Sequence, residues 1–273
     1  MGKFDGILIC TDLDGTLYKN DKSISSENRS AIEYFKKEGG IFTFVTGRMP
    51  FFAHDVYENV KPNAPVGCVN GAGLYDYEKN EYIWTAKMPE GILELLKCVD
   101  ENLPNIGIQV NTYYKVYFCK DNAVMEEFRK LTNLPNLQCD YTNVAEPIAK
   151  IVFGVPTETE MKLLEEMLKS HPLAGNFDFI RSEEYLYEIL PGGIGKGTSV
   201  EKLCEHLKID INKTIAVGDY NNDISMFRAS KVGVAVANAC EDAKKAADVI
   251  TVSNEEHAIA KVISDLENKV YNM

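Results

Sequence analysis

The stretch Asp12-Leu13-Asp14-Gly15-Thr16 decides the predicted fold, because it directly follows the apolar run Ile7-Leu8-Ile9-Cys10. A short apolar run that ends in turn residues is typical of a buried strand in a parallel sheet. Two carboxylates one residue apart would then stand at the carboxyl end of a strand, where open α/β sheets bind ligands. A divalent cation is the simplest compensation for like charges this close. The alternative is that Asp12 and Asp14 are only turn residues.

Strands and helices alternate in the front and rear thirds of the chain. A helix capped by Ser25 or Ser26 leads to an apolar strand at 41–45, and a second helix begins at Pro50. The alternation returns after Pro191-Gly192-Gly193, with a helix from Lys196 and a buried strand at 213–217. Strands separated by helices favour right-handed βαβ units and one parallel sheet.

The middle of the chain has a different pattern, with adjoining strands and longer helices. Thr157 and Glu160 form a capping box before one of these helices. We therefore predict an α/β fold with a Rossmann-like parallel-sheet core, residues 1–81 and 191–273. An inserted α+β domain, residues 82–190, interrupts this core between hinges near 80–84 and 190–193, and its size suits an independent domain.

The net charge, the apolar runs and the cysteines of the chain indicate which kinds of binding partner and which cellular compartment to expect. A net charge of −12 argues against nucleic acid or an anionic membrane as a partner, and no apolar run approaches the ~18 residues of a transmembrane helix. The seven cysteines are widely spread and lack a C-x-x-C pair, which indicates reduced thiols rather than a disulfide framework or a zinc site. The first strand begins too early for a signal peptide. We expect a cytoplasmic protein; its oligomeric state stays open.

Polar residues follow three of the predicted strands, and the ends of parallel strands meet at one edge of a sheet. Thr46-Gly47-Arg48 follows the second strand, Gly218-Asp219 with Asn222-Asp223 follows a rear strand, and Lys196 begins the helix before it. Each group also has a structural explanation. Thr46 or Asp223 could cap a helix, Lys196 could be solvated, Asn222 could belong to a turn and Arg48 to an ion pair. Their joint occurrence in this order favours a single phosphate-handling cavity.

The chemistry of these residue types predicts their roles. Asp12 is the candidate nucleophile, whose carboxylate attacks phosphorus and forms an aspartyl-phosphate. Asp14 is the candidate general acid and base. Asp219 would complete a Mg²⁺ site, with Asp223 as a ligand or a supporting carboxylate. The remaining phosphate oxygens would be held by Thr46, the Gly47 amide, Lys196 and Asn222.

The sequence resembles the haloacid dehalogenase-like (HAD) hydrolases, in particular the Cof-type (IIB) phosphatases. The likeness spans nearly the whole predicted core. It is carried by Asp12-Leu13-Asp14-Gly15-Thr16-Leu17, Thr46-Gly47-Arg48, Asn70-Gly71-Ala72, Gly193-Ile194-Gly195-Lys196-Gly197, Gly218-Asp219-Tyr220-Asn221-Asn222-Asp223 and Ala237-Asn238-Ala239.

The resemblance implies the HAD fold with a specificity cap, Asp12 as the nucleophile, Asp14 as the acid and base, and magnesium held by Asp12, Asp14 and Asp219. It adds the Leu13 backbone to the phosphate contacts. It also implies a substrate seam beneath the cap at Asn70 and Gly71, to which Arg48 is a weaker addition. Two positions depart from the family pattern: Gly195 stands where Ser is frequent, and Glu256-His257 replaces a common Asp-Gly.

The function predicted from these features is a Mg²⁺-dependent phosphatase acting on small phosphorylated metabolites, with sugar phosphates favoured. One alternative is a phosphomutase or phosphotransferase that uses the same aspartyl-phosphate. Another is a non-catalytic binding protein, although its usual signature, loss of the nucleophile, acid or lysine, is not seen. The aromatic residues 113–118 could contact substrate, but alternation between core and surface is the favoured explanation.

Overall fold

The computed structural model describes residues 2–271 and 273, which divide into two compact units. The first unit combines Met1–Thr85 with Gly195–Met273, and the second is Ala86–Ile194. The segment 81–85, which the sequence placed at the hinge and the start of the insertion, pairs within the first unit. The second unit, hereafter the inserted unit, therefore begins after Thr85.

The elements follow one another in the order expected from the sequence, with two additional strands. The front part contains β1 (Leu8–Thr11), α1 (Ser26–Lys37), β2 (Ile41–Phe44), α2 (Pro50–Val60), β3 (Val66–Cys68), β4 (Gly73–Asp76) and β5 (Glu81–Thr85). The inserted unit contains α3 (Ile92–Asn102), β6 (Gly107–Thr112), β7 (Val116–Lys120), α4 (Ala123–Thr132), β8 (Ile148–Gly154), α5 (Glu158–Ser170), β9 (Phe177–Glu183) and β10 (Leu186–Pro191). The rear part contains α6 (Lys196–Leu207), β11 (Thr214–Gly218), α7 (Ile224–Ala229), β12 (Val232–Ala235), α8 (Glu241–Ala246), β13 (Val249–Ile250) and α9 (Ala258–Glu267).

The first unit is built on a parallel five-stranded sheet with the order β13-β12-β11-β1-β2. The residues of β1 are all buried, as expected for a central strand with helices on both faces. Leu8 pairs with Thr214 of β11 on one side and with Ile41 of β2 on the other. The predicted α/β core is thereby confirmed, and the front and rear thirds of the chain share one sheet.

A three-stranded antiparallel sheet, β3-β4-β5, accompanies this core and was not predicted. The apolar run at 66–69 predicts a short strand, and its alternation with helices predicts that this strand joins the parallel sheet. In the structure, β3 touches that sheet through a single bridge between Val45 and Gly67. The partly exposed β4 and β5 lack a long apolar run, which explains why pattern alone missed them.

Local sequence signals set several helix ends. The Oγ atom of Ser25 accepts the N–H of Asn28 at 3.2 Å, so Ser25 is the cap of α1. The Thr157 hydroxyl accepts the N–H of Glu160 at 3.2 Å, as the capping box predicts. The sequence predicts a last helix over about 255–268, but α9 begins later, at Ala258. His257 adopts a left-handed conformation with φ of 62°, which separates a short 3₁₀ turn from α9.

The inserted unit has an antiparallel sheet with the order β7-β6-β8-β10-β9. One face of this sheet packs against the helices α3 and α5 and is called the α3/α5 face. Its apolar core includes Leu96, Ile151 and Leu164. The opposite face, the α4 face, contacts α4 at one end through a smaller cluster that includes Phe118 and Met125. This unit therefore has an apolar core of its own.

Among the described residues, no helix combines the length and the apolar composition needed to cross a bilayer.

Candidate active site

The turn after β1 lies against the carboxylate of Asp219, which belongs to the rear part of the chain. Gly15 adopts φ of 77°, and a Cβ atom there would lie 2.5 Å from Oδ2 of Asp219. Glycine thus permits both the turn and the close approach. The Thr16 hydroxyl donates to Oδ1 of Asp219 at 2.9 Å, which fixes the orientation of that carboxylate.

Three carboxylates meet at the ends of β1 and β11. Asp12, Asp219 and Asp223 each offer an oxygen atom, and these atoms all lie within 4.8 Å of one another. Asp12 follows β1 directly, and its backbone N–H donates to the carbonyl of Val217 at 2.8 Å. The sheet register therefore positions the carboxylate cluster, defined here as Asp12, Asp219 and Asp223.

Lys196 is the cation within this cluster. Its Nζ atom donates to Oδ1 of Asp12 and to Oδ1 of Asp223, both at 2.6 Å, and its side chain is only 1% exposed. Lys196 is therefore not a solvated surface lysine, which was the structural explanation offered for it. Burial opposes the charged form, but Asp12 and Asp223 raise the pKa of Lys196 above its ordinary value. The ammonium therefore stays charged.

Asp223 links Lys196 to the loop after β11. While Oδ1 faces Lys196, Oδ2 accepts the backbone N–H groups of Asp219 at 2.8 Å and Tyr220 at 3.0 Å. Asp223 precedes α7, but its side chain makes no capping bond to that helix. It instead holds the backbone that carries Asp219.

The charges of the cluster favour an additional cation. Burial raises the pKa of Asp12 to about 8, with Lys196 acting against this shift and Asp223 adding to it. Burial and the nearby Asp223 raise the pKa of Asp219 to about 6. Three carboxylates share one ammonium, so the surplus charge is negative. Carboxylate oxygens are the donors that hard divalent ions prefer, and the residues present fit such an ion.

The Asp14 carboxylate lies outside the carboxylate cluster, and its role as a metal ligand stays a prediction. Arg48 donates to it twice, from Nε at 3.0 Å and from Nη2 at 2.7 Å, and Lys22 Nζ donates at 2.8 Å. Partial burial opposes ionisation, but these bonds hold the pKa of Asp14 below its ordinary value. The two cations occupy both carboxylate oxygens. Arg48 is therefore in the ion pair that was one of its two predicted roles.

The predicted phosphate-binding loops also come together. Thr46 is buried, and its hydroxyl accepts the backbone N–H of Arg48 at 3.2 Å, whereas the cap of α2 is Met49. A Cβ atom on Gly47 would lie 2.9 Å from Oδ1 of Asn70. That same oxygen accepts Nδ2 of Asn222 at 3.1 Å.

Residues 70 and 71 join these loops to the start of α6. The Asn70 backbone N–H donates to the Thr46 carbonyl at 3.0 Å. A Cβ atom on Gly71, where φ is 96°, would lie 1.8 Å from the carbonyl oxygen of Gly195, next to Lys196. Leu13 is buried beside Asp12. The structure thus brings the loops of all predicted site residues together within the first unit.

Two partners were missed by reasoning from the sequence. Thr16 orients Asp219, and its place within the first motif was a signal that could have been used. Lys22 binds Asp14 from a loop with no distinguishing pattern, so only the folded structure identifies it.

Known proteins share this chain's organisation. A family model described as haloacid dehalogenase-like hydrolase matches residues 9–263. YkrA of Bacillus subtilis is 28% identical over 266 residues, covering 96% of this chain and 98% of YkrA. The phosphatase YwpJ of the same organism is 25% identical over 291 residues, covering 95% of this chain and 99% of YwpJ.

Solved structures with a similar fold are also known. A haloacid dehalogenase-like hydrolase from Bacteroides thetaiotaomicron superposes with a TM-score of 0.81 at 28% identity, over 95% of this chain and 99% of that one. The subclass IIB sugar phosphatase BT4131 gives a TM-score of 0.80 at 22% identity, over 95% of this chain and 98% of that one. At that identity BT4131 supports the fold alone. The chain therefore belongs to the haloacid dehalogenase-like hydrolases, as a phosphatase of their Cof-type group.

Proposed function

We propose that this phosphatase depends on Mg²⁺ and hydrolyses small phosphorylated metabolites through an aspartyl-phosphate on Asp12. The observation that supports this most is the carboxylate cluster, whose oxygens lie within 4.8 Å of one another. Lys196 adds a buried positive charge at 2.6 Å from Asp12. A phosphate ester in this place would meet a nucleophile and positive charge together.

The proposed reaction has two steps. An Asp12 oxygen bonds to phosphorus while the bond from phosphorus to the ester oxygen breaks, and Asp14 gives its proton to the departing oxygen. Water then attacks phosphorus, Asp14 takes the proton of that water, and the bond to Asp12 breaks to release phosphate. When bound, Mg²⁺ would be held by Asp12, Asp219 and Asp223 and would offset the charge on the phosphoryl oxygens.

Asp14 can deliver a proton only from its neutral form. Its bonds to Arg48 and Lys22 favour the carboxylate form instead. We therefore infer that substrate binding loosens at least one of these contacts before the first step. Lys196 has the opposite requirement, since it must remain charged beside the phosphate, and its two carboxylate neighbours maintain that charge.

Sugar phosphates are the favoured substrates. The support is that relatives of this chain are named phosphatases, one of them a 5-amino-6-(5-phospho-D-ribitylamino)uracil phosphatase. The chain's net charge of −12 means that a phosphorylated substrate must be captured by local groups such as Lys196. The inserted unit as the specificity domain, and Leu13, Thr46, Gly47, Asn70, Gly71 and Asn222 as substrate contacts, stay predictions. We also propose a cytoplasmic location, because the described cysteines are free thiols.

Substitution of the nucleophile tests this proposal. Asp12→Asn should lower kcat/KM for phosphate release by at least about 10³-fold, the scale of losing a nucleophile. Asp242→Asn, an exposed position on α8, is the matched control and should leave kcat/KM unchanged. Acid-quenched turnover of a labelled phosphate ester should leave label on wild-type protein but not on Asp12→Asn.

Three outcomes would contradict parts of the proposal. Near-wild-type turnover by Asp12→Asn would remove the proposed nucleophile. Full activity of metal-free protein in EDTA would remove the Mg²⁺ requirement. An isomerised sugar phosphate formed without phosphate release would favour the mutase alternative.

A further inference from the structure

The motif Ala237-Asn238-Ala239 has no part in the proposed reaction, although it lies at the same edge of the parallel sheet as the carboxylate cluster. It follows β12, whose last residue, Ala235, pairs with Gly218 at the end of β11. The turn after β12 is bonded to the loop that carries Asp219, since the Cys240 backbone N–H donates to the Asp219 carbonyl at 2.9 Å. The motif therefore lies beside one carboxylate of the cluster.

The side chain of Asn238 connects this turn to the front of the chain. Its Nδ2 atom donates to the Gly15 carbonyl at 2.8 Å. Gly15 in turn lies against Asp219, because a Cβ atom on Gly15 would be 2.5 Å from Oδ2 of that carboxylate. The turn after β12 is thus bonded to both sides of the contact between Gly15 and Asp219.

Asn254 holds the amide of Asn238 in this orientation. The Asn254 backbone N–H donates to Oδ1 of Asn238 at 2.9 Å. Because an amide oxygen accepts hydrogen bonds and an amide nitrogen donates them, this bond directs the nitrogen of Asn238 towards Gly15. Asn238 and Asn254 are called the asparagine pair here.

Asn254 also binds the far end of the turn after β1. It is only 2% exposed, and its Nδ2 atom donates to the Tyr18 carbonyl at 3.0 Å and to Oδ1 of Asn20 at 3.1 Å. The Tyr18 backbone N–H donates to the Leu13 carbonyl at 2.8 Å, which closes the turn. The asparagine pair therefore holds this turn at two points, one on each side of Thr16.

Thr16 links the held turn to the carboxylate cluster. Its hydroxyl donates to Oδ1 of Asp219 at 2.9 Å, and Asp12 immediately precedes the same turn. The backbone on both sides of Thr16 is fixed, so the Asp219 carboxylate has little freedom to move relative to Asp12. Groups that orient metal ligands from outside affect metal affinity strongly, and losing one typically costs about 10–100-fold.

We propose that the asparagine pair positions Asp12 and Asp219 at a spacing that selects Mg²⁺ over the larger Ca²⁺. This inference rests on the proposed Mg²⁺-dependent function. Mg²⁺ requires a nearly regular arrangement of oxygen atoms at about 2.0–2.1 Å, whereas Ca²⁺ accepts irregular arrangements at about 2.3–2.6 Å. A loosened spacing should therefore weaken the binding of Mg²⁺ more than the binding of Ca²⁺.

Thermal stabilisation by each ion tests this inference without substrate or turnover. An ion that binds the folded protein raises Tm, and the rise with concentration of MgCl₂ or CaCl₂ at constant ionic strength gives the Kd of each ion. Asp219→Asn should remove the rise, which would assign it to the carboxylate cluster. Asn238→Ala should lower the ratio of the Ca²⁺ Kd to the Mg²⁺ Kd by about 10-fold or more.

Two further variants complete the test. Asn254→Ala keeps the backbone N–H that donates to Asn238 but loses the bonds of Nδ2 to Tyr18 and Asn20, and it should lower the same ratio. Asn212→Ala is the matched control, because Asn212 is exposed like Asn238 but precedes β11, at the opposite end of that strand from Asp219. It should leave the ratio unchanged.

The outcomes separate this inference from the proposed function. If Asn238→Ala and Asn254→Ala keep the wild-type ratio, whatever their Tm without metal, the asparagine pair only supports the fold and the inference is wrong. It is also wrong if wild-type protein binds Ca²⁺ as tightly as Mg²⁺, even when Mg²⁺ supports phosphate release. A wild-type Tm that responds to neither ion, together with full activity in EDTA, would instead overturn the proposed Mg²⁺ dependence.

Discussion

Lys196 maintains the charge balance of the carboxylate cluster. Its ammonium is buried against Asp12 and Asp223, and no other cation is bonded to those two carboxylates in the described part of the chain. Removing one member of a buried ion pair leaves the other charge uncompensated, which is far more damaging than losing an exposed pair. One side chain therefore affects both folding and the proposed chemistry.

Lys196→Met should lower the free energy of unfolding by about 3–5 kcal/mol when measured in EDTA. Lys202→Met on the same helix is the control, because the Lys202 side chain is 31% exposed and its pair with Glu205 lies at the surface. Loss of such a pair should lower the free energy of unfolding by about 1 kcal/mol or less. Urea denaturation checks both variants. Equal stability of the two variants would mean that the buried pair contributes little.

The residue types of the site were predictable from the sequence, but their partners were not. Asp12, Asp219 and Lys196 stood out because their motifs follow strands or begin a helix. Arg48 had two predicted roles, ion pair or substrate contact, and the choice depended on how near it folds to Asp14. That carboxylate lies 34 positions earlier in the chain, so local pattern could not decide between the roles.

At the scale of elements, prediction succeeded where a signal was local. Pro50 begins α2, and Thr157 caps α5, because both features depend on residues within one helical turn. The antiparallel pair β4 and β5 was missed because its strands are partly exposed and are stabilised by pairing with each other. Pairing energy of this kind is not visible in the periodicity of either strand alone.

A substitution at Gly71 tests how closely the loop after β3 approaches the start of α6. Gly71→Ala should lower the free energy of unfolding by more than about 2 kcal/mol, since a left-handed backbone and a steric clash add together. The added Cβ atom would lie 1.8 Å from the Gly195 carbonyl oxygen. Thermal and urea denaturation would measure the change.

Two glycines of the inserted unit separate these contributions. Gly193 has φ of 72° but nothing within 4 Å, so Gly193→Ala should lower the free energy of unfolding by about 1–2 kcal/mol from backbone strain alone. Gly175 has neither feature, and Gly175→Ala should be close to neutral. If Gly71→Ala is no worse than Gly193→Ala, the close approach to Gly195 is not tightly fixed.

At the scale of the whole molecule, the two units differ in which parts of the chain supply the strands of their main sheets. All strands of the β7-β6-β8-β10-β9 sheet and both helices of its α3/α5 face lie within Ala86–Ile194. The parallel sheet of the first unit instead draws strands from both ends of the chain. Independent folding is therefore expected of the inserted unit alone.

Residues 86–194 produced alone should unfold cooperatively in urea, with a single sigmoidal transition by circular dichroism. Residues 1–85 produced alone are the comparison and should show no such transition, because β1 would lack β11 as its neighbour. A cooperative transition in residues 1–85, or none in residues 86–194, would contradict this division of stability.

The pairing of β1 with β11 also dictates an order of events during translation. The edge of β1 that pairs with β11 stays uncovered until Thr214, the partner of Leu8, has been synthesised. At about 5–20 residues per second, the ribosome needs roughly 10–40 s to make the intervening segment. During this time the nascent chain carries an apolar strand with one uncovered edge, while residues 86–194 can already fold. The nascent enzyme should therefore acquire its carboxylate cluster only after residues 86–194 have been able to fold, and holdase chaperones should bind its amino-terminal strand until then.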